Sequence, residues 1–223
     1  MKITVTKNGP YVADPGIPLK DVASAAHPQG GVGEYEEEKT YDATSHAVYL
    51  CRCGFSQNKP YCDGHHAKVG FDGTETNDRK SYDAGAKLYE GAKYNMLDNE
   101  SFCTTARFCD RGQGAWAALK GADPDSVQYV EHVGCSCNGG RLTLVGKATG
   151  EKIEKPLDKE IYFVKDVPEK HLGPINLRGG IPIVGADGYE YETRNRMALC
   201  RCGKSGNKPF CDSTHLNCKH MEI

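Results

Sequence analysis

The sequence predicts an α+β protein, built from two small strand-rich metal-binding units with a middle unit of mixed character inserted between them. Three observations predict it. Residues 51–66 (CRCGFSQNKPYCDGHH) and 200–215 (CRCGKSGNKPFCDSTH) coincide at eleven of sixteen positions. The likeness continues upstream, where 9–19 (GPYVADPGIPL) and 173–183 (GPINLRGGIPI) share Gly-Pro and Gly-Ile-Pro at the same offsets. The composition, with 26 glycines, 11 prolines and 38% hydrophobic residues, favours short strands around thin cores that bound metal helps to stabilise.

In chain order, residues 1–69 form the first unit. Ile3 and Val5, alternating with Lys2, Thr4 and Thr6, read as an edge or hairpin strand, and 46–53 (HAVYLCRC) as a strand that delivers two cysteines. The stretch from Asp21 to Asp42, rich in Gly, Glu and Ala and longer than its counterpart, reads as a surface loop. Residues 70–168 form the middle unit. Strands are expected at Lys87–Glu90, Tyr94–Leu97, Arg141–Val145 and Ile161–Val164, with a helix at Gly114–Lys120. Residues 169–223 form the second unit, with 196–202 (RMALCRC) as its entering strand.

The bulk properties exclude several classes. With 28 basic and 30 acidic side chains the net charge is −2, which offers no footprint for nucleic acid or an anionic membrane. No stretch reads as a signal peptide or has the apolar length to span a bilayer, so a soluble, cytoplasmic protein is expected. Eleven cysteines are an odd count, and their C-x-C and C-x-x-x-H spacings suit ligation in a reducing compartment better than disulfides.

Cys51 and Cys53 can aim two sulfurs at one metal, while Cys62 and His66 supply a second pair from across a loop. Positions i and i+4 share a helical face, which favours His66 over His65. The second copy, Cys200, Cys202, Cys211 and His215, has Thr214 where the first has His65. Structural zinc is one reading of three thiolates and an imidazole, although zinc sites commonly space paired ligands by two or more residues. A [2Fe-2S] cluster needs two protein ligands on each iron, and two pairs are what each motif provides; the imidazole raises the potential and adds a protonatable ligand.

The pattern C-x-C-x-x-S-x-x-x-P-x-C-D-G-x-H, filled by Cys51, Cys53, Ser56, Pro60, Cys62, Asp63, Gly64 and His66, resembles the signature of the CDGSH iron-sulfur proteins, the NEET family. The second copy fills it with Cys200, Cys202, Ser205, Pro209, Cys211, Asp212 and His215, but has Ser213 in place of the glycine. The resemblance implies a redox-active [2Fe-2S] cluster at each motif, and an internal pseudo-two-fold pair in place of the family's homodimer. Ser56 and Ser205 are expected to hydrogen-bond to sulfide or loop backbone, and Asp63 and Asp212 to cap the following turn. Arg52, Arg201, Lys59 and Lys208 read either as offsetting cluster charge or as solvated basic side chains.

The middle unit resembles a divergent single-cluster ferredoxin, with Cys103, Cys109 and Cys137 as candidate ligands, Ala106 at the central cysteine position and Asn138 in place of the usual proline. Three thiolates would suit a [3Fe-4S] cluster, and recruitment of Cys135 a [4Fe-4S] cluster; the alternative is a fold with idle thiols. Cys218 has no partner at useful spacing. The expected function is one-electron transfer with a redox partner protein. The alternatives are cluster transfer to an apo-acceptor, redox or pH sensing, and a zinc-stabilised interaction module, as a monomer with internal symmetry or a homodimer. No nucleotide loop, nucleophile elbow or catalytic triad is legible, so a carrier is expected rather than a catalyst.

Overall fold

The computed structural model describes residues 1–42 and 44–223. In chain order the strands are β1 (Ile3–Val5), β2 (Tyr11–Ala13), β3 (Leu19–Ala26), β4 (Val32–Tyr41), β5 (Val48–Leu50), β6 (Lys87–Tyr89), β7 (Tyr94–Asp98), β8 (Leu142–Gly146), β9 (Lys152–Ile153), β10 (Glu160–Asp166), β11 (His171–Arg178), β12 (Ile183–Val184) and β13 (Arg196–Leu199). The helices are α1 (His65–Lys68), α2 (Tyr82–Gly85), α3 (Ala115–Ala118) and α4 (Pro124–Ser136). Among the described residues no helix is long and apolar enough to cross a membrane.

Two sheets serve the repeats, in the orders β12-β1-β2-β5 and β13-β11-β10-β3-β4. The strand that leaves each Gly-Ile-Pro crosses to the other repeat's sheet: β3 lies parallel to β10 with Leu19 opposite Ile161, and β12 lies parallel to β1 with Ile183 opposite Ile3. The shared proline removes a backbone donor and fixes φ where the chain changes sheet. In β1 and β2 the burial alternates with the strand period, and the inward residues Ile3, Val5, Tyr11 and Ala13 meet Ile161, Phe163, Ile175, Leu177 and Leu199 in one core. β5 and β13 run directly into Cys51 and Cys200, so each C-x-C starts from a paired strand, as the sequence predicts.

Two expectations are corrected here. Residues 21–42 are not a surface loop but most of the β3–β4 hairpin, in which Leu19 pairs with Tyr41 and Ala26 with Val32. β3 is buried at Leu19, Val22, Ala23 and Ser24 because it lies between β10 and β4, whereas the charged run of β4 occupies the sheet edge, where acidic and basic side chains also deter edge-to-edge pairing. The strand at Ile161–Val164 is β10, and it hydrogen-bonds to β3 and β11 rather than to the middle sheet.

The middle sheet runs β6-β7-β8-β9. Against it lie α3, within the expected Gly114–Lys120 segment, and α4, which lies outside the expected elements. Asp123 caps α4 by accepting from the Ser126 N–H at 3.0 Å, Pro124 opens its first turn, and Tyr129, Val130 and Val133 face Met96, Leu142 and Leu144. Gly134 permits the close approach, since a Cβ there would sit 2.5 Å from Leu144 Cγ. The middle unit is fastened to the repeats by the Phe102–Phe210 ring contact at 5.2 Å and by Arg196, which pairs with Glu154 at 2.7 Å and donates to the Cys137 carbonyl at 2.8 Å.

Candidate metal centres

Each C-x-C…C-x-x-x-H loop is clamped to its entering strand at both ends. The Cys51 N–H donates to the Pro60 carbonyl and the Cys62 N–H to the Tyr49 carbonyl, both at 2.8 Å; in the second copy Cys200 and Pro209 pair at 2.8 Å, and Cys211 and Ala198 at 2.9 Å. Inside the loop the Ser56 hydroxyl donates to the Tyr61 carbonyl at 2.6 Å and accepts from Asn58 N–H at 3.0 Å; Ser205 repeats this with Phe210 and Asn207 at 2.7 and 3.0 Å. Asp63 accepts from Gln57 N–H at 2.8 Å and His65 N–H at 3.1 Å, as Asp212 does from Gly206 and Thr214 at 2.7 and 3.1 Å. These carboxylates tie the near side of the loop to the turn that carries the histidine.

The result is a pair of donor pairs in each motif. Cys51 Sγ and Cys53 Sγ lie 3.9 Å apart, and Cys62 Sγ and His66 Nδ1 lie 3.3 Å apart; the second copy gives 3.8 and 3.4 Å. Among the described residues no three His, Cys, Asp or Glu side chains gather about a single ion position. His65 is engaged elsewhere, its Nδ1 3.1 Å from Asp63 Oδ2. Within each C-x-C one thiol donates to the other sulfur, which holds Cys51 and Cys200 below the usual thiol range and pushes Cys53 and Cys202 above it.

The two motifs differ in setting. Cys62 and His66 are partly exposed, whereas Cys211 and His215 are 3% and 2% exposed. Burial, with a smaller contribution from the nearby His171, pulls the His215 imidazole down to about 4. The two C-x-C-G turns lie against each other: a Cβ on Gly203 would stand 2.7 Å from the Cys53 carbonyl oxygen, and one on Gly54 3.1 Å from that of Cys202. Tyr11 of β2 also crosses between repeats, donating to the Cys200 and Pro209 carbonyls at 2.9 and 3.1 Å.

Arg52 and Arg201 are 1% and 5% exposed, which removes the solvated reading for both. Neither forms an ion pair among the described residues, and both Nε atoms are buried without a partner. Arg52 donates to the Thr6 and Gly73 carbonyls at 3.2 and 2.6 Å; Arg201 has a 3.4 Å bond to the Val164 carbonyl. Two buried cations, each in sequence between the two cysteines of a C-x-C, fit a group that brings negative charge to these candidate positions. Cys218, expected to be without partners, is buried beside Cys200, Cys202 and Met221, and its thiol donates to the Thr214 carbonyl at 3.3 Å.

The family described as iron-binding zinc finger, CDGSH type, matches residues 8–67 and 172–216. Both segments are CDGSH-type iron-binding domains. Domains of this type bind iron–sulfur clusters, typically [2Fe-2S], so the chain is an iron–sulfur-binding protein with two CDGSH motifs. No curated protein and no solved structure matches it.

Three of the four cysteines between the CDGSH domains, Cys103, Cys109 and Cys137, line a separate cavity of about 210 Å³ together with Ala106, Asn138 and Arg141. Cys135 is not among its lining residues. Burial pushes the Cys109 and Cys137 thiols up. Arg141 is fixed at the wall by paired bonds to Asp98 at 2.6 and 2.9 Å. Asn138 is 2% exposed, yet its side-chain oxygen and nitrogen both lack partners among the described residues. A buried amide is ordinarily satisfied, so an unpaired one at the cavity fits a bound group that supplies the missing acceptor.

Proposed function

We propose that this protein is a multi-centre one-electron carrier. Each CDGSH motif holds one [2Fe-2S] cluster, the first through Cys51, Cys53, Cys62 and His66 and the second through Cys200, Cys202, Cys211 and His215. The two domains act as an internal pseudo-two-fold pair within one chain, a reading supported by the strand exchange β3/β10 and β12/β1. Cys103, Cys109 and Cys137 hold a third, three-thiolate centre of the [3Fe-4S] kind in a ferredoxin-like insert, and Cys135 stays outside it. When bound, such clusters supply reversible one-electron chemistry at potentials tuned by ligand type and hydrogen bonding. A redox protein in a reducing, cytoplasmic setting is the partner, consistent with eleven thiols in the free form.

The observation that carries this reading is the arrangement of donors as two braced pairs per motif beside a buried, unpaired arginine. Two pairs suit a two-iron centre, and the cation suits its charge. The test is reduction by dithionite of anaerobically purified protein followed by EPR. Reversible appearance and loss of iron–sulfur signals is expected, and a chain that shows none overturns electron transfer.

A second reading has its own observation: Cys62 and His66 are partly exposed, whereas their counterparts are buried. That asymmetry suits donation of the first cluster to an apo-acceptor. Incubation with an apo-ferredoxin separates the two, because a carrier leaves the acceptor empty.

A further inference from the structure

The ligand loops of the two CDGSH motifs differ at one conformationally demanding position. Gly64 and Ser213 adopt the same left-handed backbone, with φ 86 and ψ −1 in one and φ 73 and ψ −3 in the other. Glycine takes that conformation freely, and a serine held there needs side-chain contacts to offset the strain. A Cβ on Gly64 would meet nothing within 4 Å. Ser213, by contrast, donates to the Cys103 carbonyl at 3.0 Å and accepts from the Thr105 hydroxyl at 2.6 Å. The hydroxyl thus joins the turn between Cys211 and His215 to the turn between Cys103 and Cys109.

A second observation lies at the same junction. Thr104, Ala106 and Asn138 line the three-cysteine cavity, and the same three residues line a smaller recess that His215 also borders. The unpaired, buried amide of Asn138 therefore stands in a wall shared by the middle site and the second motif's histidine. In the first motif, by contrast, no residue of α1, the turn that carries His66, is buried.

We propose that Ser213 is a positioning residue that couples the ligand loop of the second CDGSH motif to that of the middle site. Metal held by Cys103, Cys109 and Cys137 then stabilises metal at the second motif and leaves the first indifferent. Ordering either loop lowers the cost of ordering the other, so the coupling acts in both directions. This rests on the three-centre reading given above.

The experiment challenges the loaded full-length chain with an iron chelator and follows loss from each motif by visible absorption, the two being assigned by the spectral shifts of His66→Cys and His215→Cys. Cys109→Ser is expected to speed loss from the second motif several-fold without changing the first. Ser213→Gly is expected to abolish that acceleration. Equal acceleration at both motifs, or acceleration that survives Ser213→Gly, overturns the coupling. Iron per chain is counted beforehand: a count unchanged by Cys109→Ser overturns the three-centre reading and the coupling with it, whereas a lowered count with unaltered loss from the second motif overturns the coupling alone. Should Cys109→Ser not fold, hydrogen exchange on Ser213→Gly decides. Faster exchange at Thr104–Arg107 and Thr214–Cys218, with residues 64–70 unchanged, is expected, and unaltered exchange at both segments overturns the proposal.

Discussion

Replacing Arg201 with methionine should leave unchanged or stabilise the metal-free protein and destabilise the loaded one. The guanidinium is 5% exposed, has a single long hydrogen bond to the Val164 carbonyl at 3.4 Å, and leaves Nε unpaired. Asp21, whose charge acts on the guanidinium, already accepts from the Tyr41 hydroxyl at 2.9 Å, and burial pulls the arginine below its usual range. Without metal the charge is poorly compensated, and an apolar side chain of similar volume is expected to be neutral or to stabilise by about 1–4 kcal/mol. With an anionic centre beside it, the same substitution removes one partner of a buried charge pair and is expected to cost about 3–5 kcal/mol. The assay is guanidinium unfolding of the full chain, chelated and anaerobically loaded, followed by far-UV circular dichroism. A shift of the same sign and size in both forms would refute the claim that Arg201 faces a negatively charged group.

Other outcomes follow from contacts described above. Tyr11→Phe deprives the Cys200 and Pro209 carbonyls of a buried donor, and a loss of about 1–3 kcal/mol is expected in chemical unfolding, with faster bleaching of the second motif. Leu144→Ala in the middle core should cost about 2–5 kcal/mol, because Leu144 is fully buried. Gly134→Ala should cost about 1–3 kcal/mol by overpacking against that leucine; thermal unfolding measures both. Cys135→Ser should leave the iron count of the purified protein unchanged, whereas Cys103→Ser or Cys137→Ser should lower it, and an equal loss in all three would place Cys135 among the ligands.

The CDGSH motifs were legible because ligand chemistry is written in local spacing: C-x-C and C-x-x-x-H bring donors into pairs whatever the rest of the chain does. The preference for His66 over His65 came from the same local geometry. Placement across the chain was not legible in this way. The partner of β3 is β10, more than a hundred residues later, and no local pattern specifies a parallel pairing at that distance. The run EYEEEKTY looked like a solvated loop because an edge strand buries little of itself, and only its paired partner reveals the hairpin. Helix α4 did carry a signal, Asp-Pro at the start and Val127, Val130 and Val133 at helical spacing, in a segment otherwise read for its cysteines. The burial of Arg52 against Tyr11, Phe71 and Gly73, and of Arg201 against Phe163 and Val164, depends on contacts distant in sequence, which composition cannot state.

The measurement that tests the central claim most directly is iron and acid-labile sulfide per chain after anaerobic purification. Two [2Fe-2S] motifs and a three-thiolate middle centre predict about seven irons and eight sulfides, falling to about four of each when Cys109 is replaced by serine. A chain that holds zinc without sulfide at the CDGSH motifs would contradict the account.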